Sequence, residues 1–177
     1  AVTRGEVEVD AGHARGHHVT RVWLEPRATI HPTVRDAVER FDAVVIGPGS
    51  FFTSLMPTLL VDGVADALSR VTGPIIVVSN ILTEGEGMRG FTAADEVEWI
   101  RKTIGRNVDV VIANQGEPSL EAVERYAAEH KHPLPLGDLS PDTEPVVGQF
   151  WRSEIARHNR QRLSYAVWSV LSQRLLA

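Results

Sequence analysis

Apolar residues recur along this chain in two alternating patterns. Asp42-Ala43-Val44-Val45-Ile46, Pro74 to Ser79 and Val108 to Ala113 are short, β-branched and almost free of polar alternation. Runs of that kind predict strands buried on both faces. Between them lie stretches with helical spacing: His31 to Phe41, with Val34, Ala37, Val38 and Phe41 on one face, and Thr58 to Val71, with Leu60, Val64, Ala67, Leu68 and Val71 inward. Thr92 to Ile104, Ser119 to His130 and Arg160 to Leu176 complete the helices, the last with Leu163, Val167, Leu171 and Leu175 one turn apart. Weaker signals place a β-leaning ribbon at Val2, Val7 and Val9 and further strands at Val19 to Leu24 and Pro145 to Trp151. Strands alternating with helices predict crossover connections and a mostly parallel sheet. The expected architecture is therefore α/β, a Rossmann-like three-layer fold with helices on both faces. The Pro/Gly-rich stretch His132 to Pro145 reads as a loop, so residues 1–177 are expected to form one domain.

In open α/β sheets, ligands collect outside the carboxyl ends of the strands, so the strand ends carry the candidate chemistry. The first buried run passes into Gly47-Pro48-Gly49-Ser50, then Thr53-Ser54, then a helix. Glycines let the backbone approach a phosphate, hydroxyls add donors, and a helix N-terminus offers free N–H groups. The pattern is neither Gly-x-Gly-x-x-Gly nor a Walker loop, and it equally describes a tight strand-to-helix turn with an N-cap. The second run ends in Ser79-Asn80 and a polar, glycine-rich loop, Thr83-Glu84-Gly85-Glu86-Gly87-Met88-Arg89-Gly90. Asn80 suits recognition of a base, sugar or amide. Glu84 and Glu86 either hold a divalent cation or are simply solvated. Thr92 and Asp95 form a capping-box-like pair, with Asp95 placed to cap and to face a ligand. The third run delivers Asn114 to the same edge, and this convergence predicts a ligand crevice.

Composition narrows the classes. The chain has 177 residues, 18 Lys plus Arg against 23 Asp plus Glu, a net charge of −5, and 43% hydrophobic residues. That is a globular balance, and its acidity argues against nucleic acid as a partner. No apolar run approaches the length of a membrane span. The absence of cysteine excludes disulfides and thiolate chemistry and suits a reducing cytoplasm. The first residues do not form a signal peptide. His13, His17 and His18 sit in a glycine-flanked loop without a fixed acidic ligand, so no metal site is assigned there. Arg152, Arg157, His158, Arg160 and Arg162 are the one basic cluster, either an anion contact, chiefly through Arg157 and His158, or a solvated helix face. Trp151 and Trp168 read as core or interface residues, and Glu121, Glu124 and Glu129 as a wet helix face. No Gly-x-Ser-x-Gly elbow or nucleophile–base pair is present, so no catalytic residue is assigned.

Gly47-Pro48-Gly49-Ser50 with Thr53-Ser54 and Leu59-Leu60-Val61 resembles the CofD/YvcK-like family. So do Asn80, Thr83, Gly90-Phe91-Thr92-Ala93-Ala94-Asp95, Val108 to Asn114, and Ile155-Ala156-Arg157-His158-Asn159 with Arg162-Leu163. The resemblance implies one of two functions. The YvcK branch is a cytoplasmic factor that binds a UDP-sugar and is tied to gluconeogenic growth and cell-wall formation. The CofD branch is a 2-phospho-lactate transferase, which moves a phospholactyl group from a nucleotide-activated donor to a deazaflavin precursor of coenzyme F420. Gly-Pro-Gly-Ser and Phe-Thr-Ala-Ala-Asp look more like the YvcK branch. The resemblance thus implies a nucleotide or nucleotide-sugar ligand at Gly47, Pro48, Gly49, Ser50, Thr53, Ser54, Asn80, Thr92, Asp95 and Asn114. Mg²⁺ or another divalent cation is implied in the transferase reading, and self-association into a homo-oligomer in the YvcK reading. Two departures adjoin the crevice: Thr83-Glu84-Gly85-Glu86-Gly87-Met88 stands where the family usually reads Thr-Gln-Pro-Gly-Glu-Thr, and Glu96 where it usually has His. No Gly-Gly-Gly-Thr-Gly-like loop is present. Ala1 therefore aligns with the middle of a full-length member, and the chain is expected to be a carboxyl-side portion.

Overall fold

The computed structural model describes residues 2–5, 19–116, 118–152 and 155–176. Val7, Val9 and the three histidines at 13, 17 and 18 lie outside the described residues. The sheet has four parallel strands, β1 (Val44–Ile46), β2 (Ile75–Val78), β3 (Val110–Asn114) and β4 (Glu144–Gly148), in the order β1-β2-β3-β4. Helices α1 (Pro32–Val38), α2 (Met56–Leu59), α3 (Val64–Ser69), α4 (Ala93–Ile104), α5 (Leu120–Ala127) and α6 (Arg160–Leu175) surround it. A two-stranded antiparallel hairpin, β5 (Trp151–Arg152) and β6 (Ile155–His158), links β4 to α6.

The three-layer expectation holds because the central strands are apolar on both sides. Every residue of β2 is buried. Ile75 and Val77 join Val111 and Ala113 in one core, packed with Phe51, Met56, Leu68, Val97 and Ile100 from the crossover elements. Ile76 and Val78 join Val110 and Ile112 in the opposite core, under Val170 with Leu163, Val167 and Leu171 of α6. Each of the larger side chains among these, removed from water, contributes about 1.5–3 kcal/mol. The strands enter the sheet close together: a Cβ on Gly73 would stand 1.5 Å from the Asp42 carbonyl oxygen. Arg106 donates to the carbonyls of Leu68, Val71 and Gly73, closing the carboxyl end of α3 against β2.

Several expectations are corrected. Val19 to Leu24 forms no strand; Val19 and Val22 instead pack against the first core as irregular chain. The helix expected over Thr58 to Val71 is two helices, broken where Asp62 bridges to Thr29 and Gly63 takes a left-handed φ of 92°. α1 buries none of its residues, and Val34 and Phe41 are exposed. In β1 only Ile46 is buried, since it is an edge strand among the described residues. Pro145 to Trp151 divides into β4 and the start of the hairpin. Trp151 is buried, but Trp168 is 66% exposed and Leu175 is also exposed.

Candidate functional site

The turn after β1 is built around backbone contacts that only glycine permits. Gly47 has φ +100°, and a Cβ there would meet the Val78 carbonyl oxygen at 2.5 Å. The turn thus lies directly against the end of β2. Asn80, two residues past that strand, clamps it in both directions: its Oδ1 accepts from the Gly49 N–H at 3.3 Å and its Nδ2 donates to the Gly49 carbonyl at 3.0 Å. The chain then enters a π-helical turn, Phe51–Leu55, that continues into α2. At its entrance the Ser50 and Thr53 hydroxyls are 2.5 Å apart. A carboxylate meets two of the donors at this entrance. Glu84 Oε2 accepts from the Phe51 N–H at 2.7 Å and from Ser50 Oγ at 3.0 Å.

Aromatic packing holds these two loops together. Phe51 and Phe52, from the first loop, meet Phe91 and Trp99, from the second loop and α4, with ring centroids 5.3–6.4 Å apart. Edge-to-face and tilted arrangements of this kind are the favoured ones. Met88 is fully buried in the same core.

Beneath Asn80 lies Glu96, on the first turn of α4 and only 2% exposed. Its Oε2 accepts from the Asn80 N–H at 3.3 Å, while its Oε1 has no hydrogen-bond partner. Burial pushes its carboxyl up to about 8; the Asn80 bond opposes this and the Glu84 charge adds to it. Glu96 is therefore mostly protonated at neutral pH.

On the other side of β2, His158 at the end of β6 bonds to the backbone of Ser79. Burial holds the imidazole below the usual histidine range, with the Ser79 bond opposing. His158 lines a hollow of about 420 Å³ with Arg152, Asn159, Arg160 and Gln161 at the amino end of α6. Asn159 caps that helix by accepting from the Arg162 N–H at 3.2 Å.

Of the residues singled out from sequence, Gly47, Gly49, Ser50, Thr53 and Asn80 come together. Pro48 and Ser54 flank them, exposed. Thr92 and Asp95 engage each other: Asp95 Oδ2 accepts from the Thr92 N–H and hydroxyl at 2.9 and 2.7 Å, and Thr92 Oγ1 accepts from the Asp95 N–H at 3.1 Å. The next donors of α4, Ala93 and Ala94, bond to Pro135 and Leu136. Asn114 anchors the turn into the hairpin, accepting from the Phe150 and Trp151 N–H groups at 2.8 and 3.0 Å. Arg157 is exposed, whereas Arg152 and Arg160 join His158 at the hollow. The Phe51 N–H could not be singled out from sequence, because a backbone donor has no side-chain signature. The partner that marks it, Glu84, was legible only as an acid in a glycine-rich loop.

A parallel sheet with helices on both faces, its polar loops gathered beyond the strand carboxyl ends, places this molecule in the Rossmann-like α/β class. Sequence comparison takes the assignment one step further. The chain belongs to the CofD family, whose description, 2-phospho-L-lactate transferase CofD, matches residues 1–146. A relative in Aquifex aeolicus is 29% identical over 99% of this chain and 56% of its own length. Proteins named gluconeogenesis factor are similar as well: that of Listeria monocytogenes is 35% identical over 89% of this chain and 50% of its own, and that of Halalkalibacterium halodurans 30% identical over 86% and 49%. A crystal structure of a Bacillus halodurans protein superposes with a TM-score of 0.83 at 27% identity, covering 93% of this chain and 54% of that one. The chain thus spans about half the length of these relatives.

Proposed function

We propose that this chain forms part of a cytoplasmic binding protein for a nucleotide or UDP-sugar, with a regulatory role in carbon metabolism or cell-wall formation. The observation that carries this reading is the cradle of Ser50 and the Phe51 N–H, which already holds a carboxylate. Donors that satisfy a carboxylate suit a phosphate oxygen equally, since both are anionic acceptors. The names of the gluconeogenesis-factor relatives support the regulatory branch. A ligand with two anionic groups also finds a second basic region nearby: the Arg152–Arg160 hollow adjoins Ser79, and Asn80, the next residue, holds the loop.

The alternative is a phospholactate transferase, favoured by the family's description. In that reading a divalent cation offsets phosphate charge. Glu84, Glu96 and Asp95 are carboxylates at this edge, but Glu84 bonds the cradle, Glu96 is buried beneath Asn80, and Asp95 is taken up by the Thr92 cap. Among the described residues no three His, Cys, Asp or Glu side chains converge. These residues alone do not make a cation site, and no step is derived through one.

The test is thermal stabilisation of the chain by UDP, UDP-N-acetylglucosamine, GDP and GTP, each with and without Mg²⁺. Stabilisation grows as RT ln(1 + [L]/Kd), about 2.7 kcal/mol at 100-fold excess over Kd. The regulatory reading expects a shift with uridine nucleotides that Ser50→Ala abolishes. A shift confined to guanine nucleotides with Mg²⁺ favours the transferase, and no shift in any condition removes the ligand reading.

A further inference from the structure

The Glu84 carboxylate stands where the proposed function puts a ligand's anionic group. It is delivered by a strap fixed at both ends. At Thr83, the backbone N–H donates to the His132 carbonyl at 2.8 Å and the hydroxyl accepts from the His132 N–H at 2.9 Å. At the other end Met88 is buried in the core and Phe91 packs on Phe51 and Phe52. Between these anchors Gly85, with φ +62°, lets the chain turn immediately after Glu84. The short segment that carries the carboxylate can therefore change course without moving either anchor, because the left-handed region costs glycine little.

We propose that Glu84 is an internal occupant of the Ser50–Phe51 cradle, an autoinhibitory contact that an anionic ligand must displace. This rests on the reading of that cradle as the phosphate site. Exchange of one anion for another costs the cradle nothing in unsatisfied donors, since the Phe51 N–H and the Ser50 hydroxyl keep an acceptor throughout. It does cost the ligand the bonds that Glu84 gives up. A ligand that adds only one carboxylate-like group gains little over Glu84. A phosphoryl or diphosphate group, with more charge and more acceptor oxygens, displaces it. The strap thus selects against small monoanions and keeps the loop ordered when no ligand is bound.

The experiment is calorimetric titration of the 177-residue chain with inorganic pyrophosphate, UDP and acetate, in wild type, Glu84→Ala and Glu84→Gln, with the melting temperature of each recorded. Removal of the competitor is expected to tighten pyrophosphate and UDP binding at least tenfold in Glu84→Ala and to make acetate binding measurable. Glu84→Gln keeps an acceptor at the Phe51 N–H but loses the charge, so an intermediate gain is expected, and this variant carries the test if Glu84→Ala does not fold. Adding Ser50→Ala to either variant should cancel the gain. If wild type binds UDP and neither variant binds it more tightly, Glu84 is only a structural cap and the inference falls while the ligand reading stands. If wild type and both folded variants bind neither pyrophosphate nor UDP, the ligand reading falls and takes the inference with it.

Discussion

At the scale of single residues, the buried Glu96 gives the protein a pH signature. Its carboxyl is near 4.5 when unperturbed and about 8 in the fold. Between those values the folded state binds the proton that the unfolded chain releases, so folding stability declines as pH rises from about 4.5 towards 8 and levels off above. Glu96→Gln keeps an acceptor for the Asn80 N–H and removes the ionisable group. It should flatten that slope and raise stability at pH 8 by on the order of a few kcal/mol, with little change near pH 4.5, as read from urea unfolding at both values. A wild-type slope that survives the substitution would assign it to other groups. Glu96 stood out in the sequence only as a departure beside the crevice. Its burial depends on α4 lying against the end of β2, a tertiary fact that helical spacing does not encode.

At the scale of elements, the sequence was most legible where packing is two-sided. β2 and β3 are continuous apolar runs because both cores press on them. The capping box of α4 was visible because Thr92 and Asp95 interact within one turn. Edges were less legible. β4 carries Glu144 and Pro145 and is mostly exposed, and the β5–β6 hairpin is held by a distant side chain. That side chain is Asn114, placed by sequence at the crevice. Asn114→Ala removes this acceptor from both the Phe150 and Trp151 N–H groups, leaving Phe150 only its longer bond to the Gly148 carbonyl at 3.1 Å, which should cost about 1–3 kcal/mol. Hydrogen exchange should then show both amides losing protection before the amides of β2. Unchanged protection at Phe150 and Trp151 would mean that the hairpin is anchored by other contacts. The break between α2 and α3 did have a local signal, the Asp62-Gly63 turn dipeptide, which the continuous apolar spacing on either side outweighed.

At the scale of the whole molecule, the alternation of strand and helix was enough to establish a parallel sheet, and hence the edge where polar loops gather. It was not enough to say which polar groups meet there. Gly47, Ser50 and Asn80 share a locus because β1 and β2 are neighbours, Val44 pairing with Ile75 and Ile46 with Val77. Asn114 ends β3, one strand further along, and turns to the hairpin instead. The arginines gather at a separate hollow because the hairpin carries Arg152 and His158 back over the edge to meet Arg160 at the start of α6. The central claim is that the first of these loci receives the anionic end of a nucleotide. Titration of the ¹⁵N-labelled chain with UDP, followed by amide chemical shifts, tests it most directly. The account predicts the largest changes at Gly49, Ser50, Phe51 and Glu84, saturating together; saturable changes that spare those four amides, or none at all, would contradict it.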